Sequence, residues 1–155
     1  MKGSQKVIDG LNDALADELA AINQYMVHAE MAANWGYGKF EHYTEERAIQ
    51  EMKHAEKLIA RILFLEGSPV VTEVREVHIG AFLDKALNND HQSELEAIAK
   101  YNALVKLCVT EHDQGTKEMI DSILVDEEYH IDGIEERIDQ ITQMGLQNYL
   151  TTVVG

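Results

Sequence analysis

Apolar residues recur every three or four positions along most of the chain, which is the spacing of one face of an α-helix. Glycines and the single proline interrupt this pattern and divide it into four long segments. The pattern predicts helix A over residues 4–33, helix B over 39–66, helix C over 82–111 and helix D over 114–144. Residues 146–154 predict one further, short helix.

The residues that interrupt the pattern also predict the helix ends. Gly36 and Gly38 permit a left-handed turn after helix A, and Pro69 cannot continue helix B. Asp113 is the expected N-cap of helix D, and Gly145 is its expected C-cap. We therefore predict an all-α fold in a single domain that spans residues 1–155.

The lengths of the links predict how the helices are connected. Short links join A to B and C to D, so each pair is expected to form an antiparallel hairpin. Residues 67–81 contain several β-branched residues and predict an extended segment long enough to cross the bundle. Two hairpins joined by one long B–C crossover are favoured over a simple up-down-up-down bundle.

Ionisable side chains occupy positions in the apolar seam of every predicted long helix. These residues are Glu18 in A, Glu51 and His54 in B, Glu94 in C, and Glu127 and His130 in D. Burying an uncompensated carboxylate costs several kcal/mol. Arg61 and Arg137 lie two turns from the histidines, so we expect too few inward-facing Lys or Arg side chains to neutralise the carboxylates.

Charge and spacing instead indicate two divalent metal ions. Four ionised glutamates and two neutral histidines balance two such ions, and carboxylates with one imidazole per ion suit iron or manganese. Glu-x-x-His occurs only at 51–54 and 127–130, and each motif lies on one helical face. Glu18 and Glu94 are 76 residues apart, as are the two motifs, which predicts similar halves related by a pseudo-twofold axis.

Each of these residues also has an ordinary structural interpretation. A lone Glu-x-x-His is usually a solvated helix face, and a single buried histidine is more often a hydrogen-bonded core residue than a ligand. Six such residues in core register on four helices, with one shared offset, favour a functional site because perturbed ionisable groups cluster there.

Composition narrows the setting in which the protein works. The net charge of −15 argues against nucleic acid as a partner and is compatible either with simple solubility or with attraction of cations. Cys108 is the only cysteine, which excludes an intrachain disulfide and fits a reducing compartment. The N-terminus lacks the apolar stretch of a signal peptide, and no run of about 18 apolar residues is present. We expect no membrane association and a cytoplasmic location.

Several stretches of the sequence resemble bacterioferritins, and the resemblance spans nearly the whole chain, being weakest over residues 70–115. The stretches are Met1-Lys2-Gly3, Leu19-Ala20-Ala21-Ile22-Asn23-Gln24-Tyr25, Glu51-Met52-Lys53-His54-Ala55, Arg61-Ile62-Leu63-Phe64-Leu65-Glu66-Gly67, Asp126-Glu127-Glu128-Tyr129-His130-Ile131-Asp132 and Gly145-Leu146-Gln147-Asn148-Tyr149-Leu150. The fold that this resemblance implies is the ferritin-like four-helix bundle with a short C-terminal fifth helix.

The resemblance also implies an activity and roles for particular residues. The protein would be a ferroxidase that oxidises Fe(II) at an intrasubunit di-iron centre and stores the mineral in a hollow shell. Glu51 and Glu127 would bridge the two irons, and Tyr25 would lie beside them as an electron donor or hydrogen-bond partner. The six predicted ligands are Glu18, Glu51, His54, Glu94, Glu127 and His130.

A haem and an assembly follow from the same resemblance. Met52 would be the axial ligand of a b-type haem shared between two subunits, because one residue beyond Glu51 the helix has turned by about 100° away from the metal ions. Further residues expected near the haem are Leu19, Ile22, Asn23 and Met26. The implied assembly has 24 identical subunits built from dimers and 12 haems, with a ferredoxin-type protein as a reductant.

The chain differs from some relatives at two positions on helix B, and its sequence is compatible with several other functions. Some relatives carry His and Asp where this chain has Glu46 and Gln50, which leaves the route of iron to the cavity undetermined. The sequence does not distinguish O2 from H2O2 as oxidant, and it does not exclude a second subunit type. Other interpretations are a peroxidase or catalase type of di-metal protein, a haem-free ferritin and a metal-free helical scaffold.

Overall fold

The computed structural model describes residues 1–155 and contains five helices and no β-strand. The helices are α1 (Gln5–Trp35), α2 (Gly38–Phe64), α3 (Leu83–Thr110), α4 (Gln114–Met144) and α5 (Leu146–Thr152). The first four correspond to predicted helices A to D, so the all-α prediction is confirmed. None of the five combines the length and the apolar character needed to cross a membrane.

Two helix ends differ from the predicted ones by two residues. Helix α1 continues past Ala33 to Trp35, because the left-handed residue that ends it is Gly36, with a φ of 84°. Helix α2 stops at Phe64, because Glu66 itself adopts a left-handed φ of 61° and cannot continue the helix. The Asp113 cap is confirmed, since the Thr116 N–H donates to its carboxylate at 2.9 Å.

The crossover between α2 and α3 follows the surface of α1. Near its start, the Val70 N–H donates to Asn12 Oδ1 at 2.8 Å. Near its end, the His78 N–H donates to Gln24 Oε1 at 3.0 Å. The chain thus travels along the bundle before α3 begins, which makes α2 and α3 parallel while α1 with α2 and α3 with α4 form hairpins. This is the expected ferritin-like arrangement.

A buried polar cluster, which we call the crossover anchor, consists of Gln24, His28 and Asp90. The Gln24 amide donates to Asp90 Oδ1 at 2.7 Å, and His28 Nδ1 lies 2.9 Å from the same oxygen. The Gly80 N–H donates to His28 Nε2 at 2.9 Å, which leaves Nδ1 as the donor to Asp90. The anchor therefore ties the crossover to α1 and α3 with its polar groups paired.

Two apolar clusters fill the bundle, and a polar layer lies between them. The large cluster packs residues from α1, α2, α3 and α4, with Leu11, Leu58, Leu104 and Ile120 among its members. The small cluster, at the other end, includes Phe40, Leu87, Ile134 and, from α5, Tyr149. Along each long helix the ionisable seam residues fall between members of these two clusters. Apolar packing thus encloses the polar layer from both ends.

Candidate metal centre

The six seam residues converge at the middle of the bundle, and we call them the metal centre. Their side chains come from all four long helices, and each is at most 3% exposed: Glu18, Glu51, His54, Glu94, Glu127 and His130. Their burial follows from the three-to-four spacing, which points them inward together with the apolar residues one turn away. The arrangement places four carboxylates in one water-poor layer.

Ligand atoms of these residues form two overlapping groups of four. One group contains Glu18, Glu51, His54 and Glu127, and the other contains Glu51, Glu94, Glu127 and His130. Within each group the candidate ligand atoms lie within 4.8 Å of one another. Glu51 and Glu127 belong to both groups, which is the placement that two bridging carboxylates require. The roles of the six as ligands remain a prediction.

Several buried atoms of the centre have no hydrogen-bond partner. They include Glu18 Oε2, Glu94 Oε2 and His130 Nδ1. A buried polar atom without a partner costs about 1–3 kcal/mol, and natural proteins contain few of them. Oxygen and imidazole nitrogen lone pairs that face each other across a small space fit a cation. The residues present therefore fit the iron or manganese ions that their number and type indicate.

Each histidine directs Nδ1 toward the carboxylates and Nε2 toward an outer partner. His54 Nδ1 lies 2.8 Å from Glu127 Oε1, and its Nε2 lies 3.0 Å from Asp126 Oδ2. His130 Nδ1 lies 3.4 Å from Glu51 Oε1, and its Nε2 contacts Gln50 Oε1. Outer partners of this kind orient metal-binding imidazoles and fix their tautomer. Asp126 was not predicted as a site residue, although it and Gln50 share the 76-residue offset.

Two buried tyrosines donate hydrogen bonds to the carboxylates in a crossed pattern. Tyr25, as predicted, lies beside the centre, and its hydroxyl donates to Glu94. Tyr101, the counterpart of Tyr25 at the 76-residue offset, donates to Glu18. Burial raises the pKa of both hydroxyls well above the ordinary value, and the neighbouring carboxylates raise it further. Both tyrosines are therefore held protonated as donors.

One arginine that was not predicted as a site residue faces the centre. Arg47, on α2 one turn before Glu51, is 5% exposed, and its Nη2 lies 2.5 Å from both Glu51 Oε1 and Glu94 Oε1. Burial alone would lower the pKa of Arg47, but the charges of Glu51 and Glu94 raise it above its ordinary value. The four-residue spacing from Glu51 was the available signal, since it places both side chains on one helix face.

The carboxylates have different proton affinities. Burial and the charge of Glu51 raise the pKa of Glu18 well above its ordinary value. Burial and the charges of Glu127 and Glu51 do the same to Glu94. Burial also opposes ionisation of Glu51, but His130, His54 and Arg47 beside it hold its pKa well below the ordinary value. Without metal, Glu18 and Glu94 therefore bind a proton more readily than an exposed glutamate does, and Glu51 binds one less readily.

A cavity of about 290 Å³ reaches the centre from the crossover side. Its wall includes Arg75, Glu76 and His78 of the crossover, together with the four glutamates of the metal centre. Arg75 pairs with Asp13 at the rim. The bundle thus has a polar route between solvent and the buried carboxylates.

Met52 points away from the centre, as its position one residue after Glu51 predicted. It is 46% exposed and lines an open groove of about 230 Å³ between α1 and α2. Of the four expected neighbours, Ile22 and Met26 line this groove, whereas Leu19 and Asn23 do not. Glu46 lies elsewhere on α2, exposed, with its carboxylate 3.3 Å from His42 Nε2.

Comparisons with known proteins agree with this geometry. The ferritin-like domain family matches residues 8–144. The chain is 40% identical over 149 residues to the bacterioferritin of Brucella melitensis, and the match covers 96% of this chain and 92% of that protein. It is 38% identical over 154 residues to the bacterioferritin of Streptomyces coelicolor, with coverage of 99% and 92%. For the bacterioferritin of Rhodobacter capsulatus the identity is 39% over 149 residues, with coverage of 96% and 92%. The resemblance identified from the sequence is therefore confirmed, and the chain belongs to the bacterioferritin family of ferritin-like proteins.

Proposed function

We propose that this protein stores iron and acts as a ferroxidase, oxidising Fe(II) to Fe(III) at the metal centre. The observation that carries the proposal is the pair of overlapping ligand groups, with Glu51 and Glu127 in both. Two Fe(II) ions held by this set would each lose one electron to dioxygen or hydrogen peroxide. The ferric product would then form a mineral inside a protein shell.

The residues of the centre would contribute position and charge. Glu18 with His54, and Glu94 with His130, would each hold one ion, and Glu51 and Glu127 would bridge the two. The four carboxylates would balance the charge of two divalent ions in a buried layer, where charges interact more strongly than in water. Tyr25 and Tyr101 would orient Glu94 and Glu18 through their hydroxyl groups. Tyr25 would also serve as an electron donor close to the ions.

The cavity on the crossover side would serve as one route for Fe(II). Its lining has more acidic than basic side chains, because Glu76 and Glu96 add to the glutamates of the centre while Lys100 pairs with Asp17 at 2.8 Å. The remaining negative charge attracts cations toward the centre. The net charge of −15 adds a favourable long-range potential. In the opposite direction, Gln50 in contact with His130 would be a weak ligand for iron that leaves the centre.

A b-type haem shared between two subunits belongs to the same proposal. The groove at Met52 fits one side of such a group, because its floor is mainly apolar and it exposes a soft thioether that suits haem iron. When bound, haem would supply one-electron transfer for reducing the stored mineral. A homo-oligomer of 24 subunits with 12 haems, a cytoplasmic location and a ferredoxin-type reductant complete the proposal.

Aerobic addition of Fe(II) to the assembled, metal-free protein tests the ferroxidase function. Wild type should oxidise iron rapidly, as followed by the absorbance of the ferric product, and Glu18→Ala should lose the rapid phase. Met52→Leu is the matched control outside the centre, and it should lose the haem absorption band while keeping rapid oxidation. Oxidation that is equally fast in Glu18→Ala would exclude this centre as the ferroxidase site.

Three further measurements on the same protein distinguish the competing functions. A haem-free ferritin would oxidise iron but show no haem band in the wild type. A peroxidase or catalase type of enzyme would consume hydrogen peroxide without accumulating a ferric mineral. A metal-free scaffold would keep its melting temperature when a chelator is added, because nothing that stabilises the folded state would be removed.

A further inference from the structure

We propose that the two metal positions are unequal, and that Arg47 is the residue that makes them so. The position of Glu18 and His54, called position 1, binds its ion first and more tightly. The position of Glu94 and His130, called position 2, binds its ion later and more weakly. This inference rests on the proposed di-metal binding and adds an order of filling to it.

Arg47 contacts a ligand that belongs to position 2 alone and a ligand that both positions share, but it contacts no ligand that belongs to position 1 alone. Its Nη2 lies 2.5 Å from Glu94 Oε1, which belongs to position 2 alone, and 2.5 Å from Glu51 Oε1, which is shared. No Lys or Arg contacts Glu18; its close neighbours are Tyr101 and His54. The guanidinium therefore already supplies a positive charge at position 2, where an incoming ion must compete with it.

The contacts of Arg47 are incomplete, unlike those of a purely structural buried ion pair. The side chain is 5% exposed, yet Nε and Nη1 have no hydrogen-bond partner. Its face stacks near Tyr25, with Cζ 5.2 Å from the ring centroid. A fully paired arginine would use several of its five donors, so this one is held mainly by the two carboxylates.

The pseudo-twofold relation of the halves makes the asymmetry visible in the sequence. The counterpart of Arg47 at the 76-residue offset is Ile123, a buried member of the large apolar cluster. Each metal ligand has a counterpart of the same residue type 76 positions away, whereas Arg47 does not. Position 1 therefore has no equivalent of Arg47.

The outer partners of the histidines differ in the same direction. Asp126 is a carboxylate, which can only accept the Nε2 proton of His54, so Nδ1 is left free to bind metal and gains basicity. Gln50 is a neutral amide, so its oxygen adds less to the basicity of His130 than the Asp126 carboxylate adds to that of His54. Both differences favour position 1.

The net charge of the metal centre predicts how the two positions are occupied in turn. With Arg47 in place, one divalent ion leaves the four glutamates at a net charge of −1, whereas a second ion would bring the centre to +1. The second ion must therefore displace Arg47 from Glu51 and Glu94. The cost of that displacement falls mainly on position 2, because Glu94 is a ligand of that position only.

Zn(II) titration of the assembled, metal-free protein by calorimetry tests the inference. Wild type should bind one ion per subunit tightly and a second at least about ten-fold more weakly, which is the range that outer-partner changes produce. Arg47→Gln should tighten the second step toward the first while lowering the melting temperature of the metal-free protein. Arg47→Lys keeps the charge and should retain two separate steps. Arg61→Gln, which loses a contact to Asp113 far from the centre, should leave both steps unchanged.

A second pair of variants identifies which position is tight without altering Arg47. Glu18→Gln should remove the tight step, and Glu94→Gln should remove only the weak one. Two ions bound with equal affinity in wild type, or loss of the tight step in Glu94→Gln, would overturn the inference while leaving the di-metal function intact. Weakening of both steps in Arg47→Gln would also overturn it, by showing a structural role only. Failure of wild type to bind any Zn(II) tightly would refute the proposed function itself.

Discussion

The metal centre and the crossover anchor are both buried clusters of histidine and carboxylate, yet they differ in how their polar atoms are paired. In the anchor, Asp90 accepts from Gln24, contacts His28, and His28 in turn accepts from the crossover backbone. In the metal centre, atoms of Glu18, Glu94 and His130 have no partner. The comparison teaches that burial of ionisable groups alone does not mark function, whereas burial without pairing does.

The difference also separates what each cluster contributes to stability. The anchor joins α1, α3 and the crossover, so its hydrogen bonds hold the two hairpins in register. The metal centre is a source of repulsion until cations arrive, apart from the partial neutralisation by Arg47. Substitutions in the two clusters should therefore have opposite effects on the metal-free protein.

The largest expected effect on the free energy of unfolding comes from removing the carboxylate of the crossover anchor. Asp90→Ala leaves Gln24 and His28 buried without their common partner, and it should lower the free energy of unfolding by about 3 kcal/mol. Chemical denaturation at constant subunit concentration measures this. Asp90→Asn keeps one acceptor oxygen and should lose less than half as much. Equal stability of Asp90→Ala and wild type would show that the anchor is not structural.

Metal should stabilise the protein through the centre and not through the anchor. Zn(II) at a hundred times its dissociation constant should add about 2.7 kcal/mol to the free energy of unfolding. The gain should persist in Asp90→Asn and be reduced in Glu18→Gln, because only the second variant lacks a predicted ligand. The measurement is the shift of the denaturation midpoint with and without metal. A gain of the same size in Glu18→Gln would place the binding site elsewhere.

The pH dependence of the metal-free protein should have a definite sign. Raised pKa values of Glu18 and Glu94 mean that the folded state binds more protons than the unfolded state above the ordinary glutamate pKa of 4.5. Stability should therefore fall as the pH rises from that value through the raised pKa values, with a slope of up to about 1.4 kcal/mol per pH unit for each proton.

The lowered pKa of Glu51 acts in a different window. Its contribution is lost only as the pH falls below 4.5, so it does not mask the slope above that value. Denaturation midpoints measured in chelator across the range give the slope directly. Saturating Zn(II) should reverse it, because the ions require ionised carboxylates. A flat profile in chelator would show that Glu18 and Glu94 are already ionised.

The smallest expected effect on stability comes from a substitution in the metal centre. Glu18→Gln removes an ionisable carboxyl from the buried layer, while its amide oxygen can still accept from Tyr101. In chelator at neutral pH it should be at least as stable as wild type, with a gain of up to about 1 kcal/mol. Thermal unfolding of the two proteins under matched conditions measures the difference. A clear loss of stability would mean that Glu18 is part of a structural network like that of Asp90.

The sequence alone predicted much of the fold because its signals are local. Three-to-four spacing, the glycines and Pro69 predict four long helices, and the length of the B–C link predicts the crossover. Glu51 and His54 lie on one helix face by spacing alone, and the 76-residue offset extends the same reasoning to Glu127 and His130. Helix ends deviated by two residues at α1 and α2, because the backbone dihedral angle of one residue decides where a helix stops.

Side-chain contacts between different helices could not be predicted from spacing along the chain. Arg47 has a long side chain that usually lies in solvent, and only the assembly of the four helices around one core brings it to Glu94 on α3. Asp126 and Gln50 became outer partners because α2 and α4 face each other at that level. The pairing of Asp90 with Gln24 and His28 likewise depends on contacts between α1, α3 and the crossover.

What the sequence by itself determined is which side chains face inward, since that follows from helical periodicity and the cost of exposing apolar residues. What only the tertiary structure decided is which inward-facing polar atoms find partners, since hydrogen bonds and ion pairs depend on distances of a few ångströms between separate helices. The tertiary structure therefore decided that the polar atoms of the crossover anchor are paired and that several of those in the metal centre are not.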